Sequence, residues 1–93
     1  MNAREMIKKA YGASKNMMTS SVISYGKIGK NMAYELSWGW GILDRGKKIY
    51  GVTVAAVSKH GKGIKKESLS TCFRSKADAM KHIEKLKKKY GGK

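Results

Sequence analysis

A chain of 93 residues with 21 Lys and Arg against 6 Asp and Glu carries a net charge of +15, so one small domain is expected, folded against strong self-repulsion. A single cysteine excludes a disulfide scaffold, and 41% hydrophobic residues, with two Trp, five Tyr and one Phe, exclude a disordered basic tail. No apolar run approaches membrane-spanning length and no basic-then-apolar segment opens the chain, so an intracellular, cytoplasmic protein is expected, with no membrane partner.

Residues 1–18 read as an amphipathic helix. Ala3, Met6, Ile7, Ala10, Met17 and Met18 recur at helical spacing, while Arg4, Lys8 and Lys15 fall mostly on another face. Asn2 and Glu5 stand three apart, as in a capping box. Thr19, Ser20 and Ser21 then break the pattern, and Gly26 and Gly29 sit among Lys27 and Lys30, so residues 19–31 read as a connecting loop.

The next segment is ambiguous in period. Tyr34, Leu36, Trp38, Trp40 and Ile42 alternate with Glu35, Ser37, Gly39 and Gly41, the pattern of a half-buried strand. Met32, Leu36, Trp40 and Leu43 also fit one helical face, but two glycines inside that helix would each cost about 1 kcal/mol relative to Ala, which favours the strand. Residues 44–48 read as a hairpin turn, with Gly46 available for a positive φ.

A second strand is expected over residues 49–58, where Tyr50, Val52, Val54 and Ala56 alternate with Thr53 and Ala55. Residues 59–66 form a basic, glycine-containing loop. Leu69, Thr71 and Phe73 then alternate with Ser70, Cys72 and Arg74 in a third strand, where Cys72 reads as a small buried hydrophobe. Ser75 is placed to cap a final helix over 75–90, with Ala79, Ile83, Leu86 and Tyr90, and Met80 beside them, as its inner face. The expected architecture is α+β: an N-terminal helix, a three-stranded antiparallel meander within residues 32–74, and a C-terminal helix packed on one sheet face.

Catalytic groups are scarce. His60 lies in a Gly-Lys loop and His82 on the last helix, neither with a carboxylate or thiol partner by spacing, and with Cys72 they form no zinc pattern. The acidic residues are scattered singly. Neither enzyme activity nor a metal or cofactor is expected.

Recognition surface is better supplied. Residues 59–93 hold twelve basic side chains against Glu67, Asp78 and Glu84. Lys59, Lys62, Lys65 and Lys66 form one basic cluster and Arg45, Lys47 and Lys48 another, at opposite ends of the expected sheet, where they would contact phosphates and give salt-dependent affinity with little sequence information. Arg74 and Lys76 extend the basic set. With the helix on the Val52–Val54 side, Thr53, Ser70 and Arg74 would face outward toward a groove; the bland alternative is a solvated sheet face. Trp38 and Trp40 offer possible stacking surfaces for unpaired bases, or alternatively core. Lys81, Lys85 and Lys88 line the outer face of the last helix. Nucleic acid, duplex DNA before RNA, is the expected partner; oligomeric state is left open.

The strands and last helix resemble a known arrangement. Leu69-Ser-Thr-Cys-Phe73 leading into Arg74-Ser-Lys-Ala-Asp-Ala79 is similar to the amino-terminal arm-binding module of phage and transposon integrases, and to the plant ethylene-response-factor DNA-binding domain. Phe73, Ser75, Asp78 and Ala79 match the turn F-x-[ST]-x-x-[DE]-A. That resemblance implies a sheet entering the DNA major groove with the helix behind it. The order helix, three strands, helix is also similar to the double-stranded-RNA-binding domain, although Ser75-Lys-Ala-Asp offers one Lys where that family has a basic run.

A second likeness involves small phage proteins that include anti-CRISPR inhibitors. Glu5, Met6, Lys8, Ala10 and Tyr11 resemble their E-I-M-K-x-A-W start, and Leu36 and Trp40 their later F-x-x-x-L-K-x-x-W helix. It implies an inhibitor that binds a host nucleoprotein effector. Both resemblances imply a phage or mobile element as the source.

Overall fold

The computed structural model describes residues 2–11, 20–40 and 48–91. Two helices flank an antiparallel sheet, the expected α+β arrangement. Helix α1 (Ala3–Tyr11) is followed by strands β1 (Ser20–Ile28), β2 (Met32–Trp40) and β3 (Lys48–Val57). Short strands β4 (Gly63–Lys65) and β5 (Thr71–Phe73) bracket a 3-10 turn (Glu67–Leu69), and α2 (Lys76–Tyr90) ends the fold. The sheet runs β1-β2-β3-β4, and β5 also pairs with β3. β4 lies against Ala55 to Val57 and β5 against Tyr50 to Val52, so the two short strands share one edge of β3.

The sheet has five strands rather than three, and the largest difference is at residues 19–31. Residues 20–28 there form β1, paired along β2 from Ser20↔Gly39 to Ile28↔Met32, with a bulge between Val22 and Ser24. Its Ser, Gly and Lys residues interrupt Val22, Ile23, Tyr25 and Ile28, which favour strands, and the hydrogen-bonding edge of β2 fixes the segment as a strand. Gly26, which reads as loop punctuation, is a strand residue opposite Tyr34, and a Cβ there would overlap the Tyr34 ring. The turn itself is confined to residues 29–31, with Gly29 at φ +75°.

Met32–Trp40 is a strand, as alternation favoured over the helical alternative. The helix that the second resemblance implies around Leu36 and Trp40 is therefore not what this segment forms. The expected hairpin turn at residues 44–48 lies outside the described residues up to Lys48. The third strand is shorter than expected: Leu69 belongs to the 3-10 turn, and pairing begins at Thr71. In the gap between β4 and β5 the Ser70 hydroxyl accepts a hydrogen bond from the Val54 amide at 2.8 Å and donates to the Lys66 carbonyl at 3.2 Å, replacing a ladder bond.

Alternation along β2 and β3 separates two cores. Tyr34, Leu36, Val52 and Val54, with Ile28, bury one face against Ala79, Ile83 and Leu86 of α2. Ala33 and Ala55, one residue out of phase and hence on the opposite face, pack with Ala3, Met6 and Ile7 of α1. Alanines at that crossing leave α1 room to lie close to the sheet. α1 is capped by the reciprocal pair Asn2 N–H to Glu5 Oε1 and Glu5 N–H to Asn2 Oδ1, both 2.9 Å. The expected continuation of that helix to residue 18 falls outside the described residues after Tyr11.

Ser75 caps α2 by accepting from the Asp78 amide at 3.2 Å. Its inner face is narrower than the periodicity suggests: Tyr90 and Met80 are 41% and 39% exposed. Tyr90 lies at the helix C-terminus and Met80 beside the buried stripe, where the sheet no longer covers them. Among the described residues no helix is long and apolar enough to cross a membrane.

Candidate nucleic-acid interface

One basic cluster is built on the β3–β4 turn. Ser58 organises it: its N–H donates to the Lys62 carbonyl at 2.9 Å, its carbonyl accepts from Gly61 N–H at 2.9 Å, and its hydroxyl accepts from Lys62 N–H at 3.1 Å. Lys59, Lys62 and Lys65 are exposed there, while Lys66 is half-buried, its N–H donating to the Val54 carbonyl at 3.0 Å.

Lys9 joins this cluster from α1, which sequence spacing did not indicate. Its ammonium lies 3.7 Å from where a Gly61 Cβ would stand. The cause is the docking of α1 over Gly63, where a Cβ would lie 2.5 Å from the Lys9 carbonyl carbon and 2.6 Å from the Ala10 nitrogen. The same helix end is fastened by Tyr11, whose hydroxyl donates to the Val54 carbonyl at 2.8 Å and whose ring lies 5.6 Å from the Lys65 ammonium.

The opposite end of the sheet carries Lys48, Arg74 and Lys76, all exposed, around half-buried Trp38, Tyr50 and Phe73. Cross-strand register places Trp38 opposite Tyr50 and Tyr50 opposite Phe73, so the three aromatic residues form one row over β2, β3 and β5. Lys48 Nζ lies 4.4 Å from the Trp38 ring centroid and 5.5 Å from that of Tyr50. Arg45 and Lys47 lie outside the described residues, as does the side chain of Trp40, the last residue of β2. The two clusters are separated by the length of β3, ten residues or about 30 Å.

Lys81, Lys85 and Lys88 are exposed on α2, and Lys87 is paired with Glu84 at 3.7 Å. Among the described residues no ion pair engages Lys9, Lys48, Lys59, Lys62 or Lys65. Their charges face solvent and are open to a polyanion.

Two residues expected to face a groove or the core are placed differently. Ser70 is occupied by the Val54 and Lys66 backbone, and Thr53 is half-buried on the α1 side. Cys72 is exposed rather than buried, because β5 is an edge strand and α1 covers the other end of that sheet face. His82 has a structural setting: its Nε2 is 2.9 Å from the Leu69 carbonyl, to which it donates, and its ring is 5.3 Å from that of Phe73. His60 is exposed in the β3–β4 turn. Among the described residues no group of three His, Cys, Asp or Glu side chains is placed to hold a metal ion.

A polar cluster lies under α1. Glu35 is 2% exposed and stands opposite Tyr25 in the β1–β2 register. Burial raises the Tyr25 phenol above its ordinary 10.0; the negative charge of Glu35 and the hydrogen bond to it add to the rise, and Arg4 opposes it. The folded state therefore holds the phenolic proton more tightly than the unfolded chain. The resulting stability is present in full below pH 10.0 and is lost as pH rises through the higher folded value. Urea midpoints measured from about pH 8 to about pH 11 should fall more steeply in the native protein than in Tyr25→Phe; parallel curves would refute the coupling.

Comparison with known protein families, characterised proteins and solved structures returned no match.

Proposed function

We propose that this protein is a non-enzymatic nucleic-acid-binding module that holds phosphates at both ends of its sheet. The observation that carries the reading is the gathering of Lys9, Lys59, Lys62 and Lys65 from α1, the β3–β4 turn and β4 into one patch without acidic partners among the described residues. Lys48, Arg74 and Lys76 provide the second point of contact. With a helix packed on each face, insertion of the whole sheet into a major groove is less well supported than phosphate contact at its ends. Phosphate contact alone serves duplex and single strand alike, and its signature is a steep salt dependence.

The test is a triple variant, Lys9→Ala, Lys62→Ala and Lys65→Ala, titrated with DNA across a salt series. Three lost phosphate contacts should lower the slope of log K against log salt by about 2.7 on duplex and about 2.1 on a single strand. Lys66→Ala, at a half-buried position, should change it less. An unchanged slope in the triple variant removes the patch from the interface.

A further inference from the structure

We infer that the Trp38–Tyr50–Phe73 row stacks unpaired bases, so that the preferred ligand is single-stranded nucleic acid rather than the duplex that charge and the integrase-like turn suggest. The inference rests on the nucleic-acid reading above and adds the strand state of the ligand. The fully buried part of the α2 face includes the Leu36↔Val52 pair. One step further along both strands, Trp38↔Tyr50 is only half-buried, and β5 extends the row to Phe73.

Adjacent strands lie about 4.8 Å apart, so three strands present an aromatic row about 10 Å wide, enough for two successive bases. Phe73 is braced by the His82 ring at the α2 end, and all three residues of the row are half-buried, Tyr50 and Phe73 against the α2 core.

Charge complementarity selects the occupant. Lys48 already lies over both the Trp38 and Tyr50 rings. A base settling on those rings displaces the ammonium toward the rim, where it meets the phosphate of the same nucleotide. A duplex keeps its bases stacked on each other and offers nothing to this row, whereas a single strand supplies both bases and phosphates. An aromatic row kept under a cation therefore suits unpaired nucleotides better than a neutral apolar partner, which would have to bury the Lys48 charge.

The experiment compares the native protein and Trp38→Ala on an oligothymidylate of about twenty nucleotides, long enough for its adenylate duplex to stay paired, and on that duplex. Loss of one stacking surface should weaken single-strand binding by about tenfold to about a hundredfold, with duplex affinity and the salt slope unchanged. Equal losses on both ligands, or none on either, overturn the stacking assignment while leaving phosphate binding in place. Absence of binding to either ligand by the native protein at physiological salt overturns the nucleic-acid reading itself.

If Trp38→Ala does not fold, Trp40→Phe provides a protein whose only tryptophan is Trp38. Its emission should be quenched by oligothymidylate and not by heparin, a polyanion without bases. Quenching by both, or by neither, overturns the proposal.

Discussion

Gly63→Ala is expected to loosen the seat of α1 and to destabilise the protein by about 3 kcal/mol, the upper end of what overpacking costs. The added methyl would meet the Lys9 carbonyl carbon at 2.5 Å and the Ala10 nitrogen at 2.6 Å, and both are backbone atoms of a helix that cannot rotate out of the way. Relief requires α1 to lift from β4, which exposes Met6 and Ile7, now 2% and 1% exposed. A small domain holds a total of about 5 kcal/mol, so such a loss would take more than half of it.

Gly51→Ala provides the control. A Cβ there meets only Ser37 Oγ at 3.7 Å and Cys72 Sγ at 3.9 Å, ordinary contact distances, so stability should change by less than about 0.5 kcal/mol. Urea unfolding followed by circular dichroism distinguishes the two glycines, and equal midpoints would contradict the close approach of α1. Because α1 also delivers Lys9 to the basic patch, Gly63→Ala should lower the salt slope of DNA binding by about 0.9 in whatever fraction remains folded.

Ile83→Ala should remove a large part of the protein's stability. Ile83 is fully buried in the cluster formed by Leu36, Val52, Val54 and Leu86, and truncation of such a side chain costs about 2–5 kcal/mol in lost transfer energy and cavity. Its neighbours on the same helix predict little: Met80→Ala and Tyr90→Ala remove side chains 39% and 41% exposed and should cost less than about 1 kcal/mol each. The contrast separates a helix that forms half of the core from a basic helix merely attached to the sheet. A native-like melting curve for Ile83→Ala would contradict the packing of α2 described here.

Expectations from periodicity succeeded where side chains report directly on burial. Strict alternation from Tyr34 onward and the β-branched run from Ile49 located β2 and β3, and the reciprocal Asn2–Glu5 pair and Ser75 marked both helix starts. The failures share one cause: position depended on a neighbour distant in the chain. β1 looks like a loop when Gly26 and its serines are weighed above Val22, Ile23, Tyr25 and Ile28, yet Gly26 is required by the Tyr34 ring across the sheet. Cys72 alternates like a core residue but lies on an edge strand, past the reach of α1.

The candidate site shows the same division. Lys59, Lys62 and Lys65 were visible as a run, whereas Lys9 enters their patch only through the docking of α1 over Gly63. Trp38 was visible as a large aromatic, but nothing local pairs it with Tyr50, let alone Phe73, and no spacing rule predicts Lys48 over its ring. Composition alone determined that this protein carries a large positive field, and local periodicity determined where its main strands and helix starts lie, because charge is additive and alternation needs no distant partner. Only the tertiary structure decided which cations share a surface and which aromatic residues form a row, since cross-strand register and helix docking bring together residues that the chain keeps tens of positions apart.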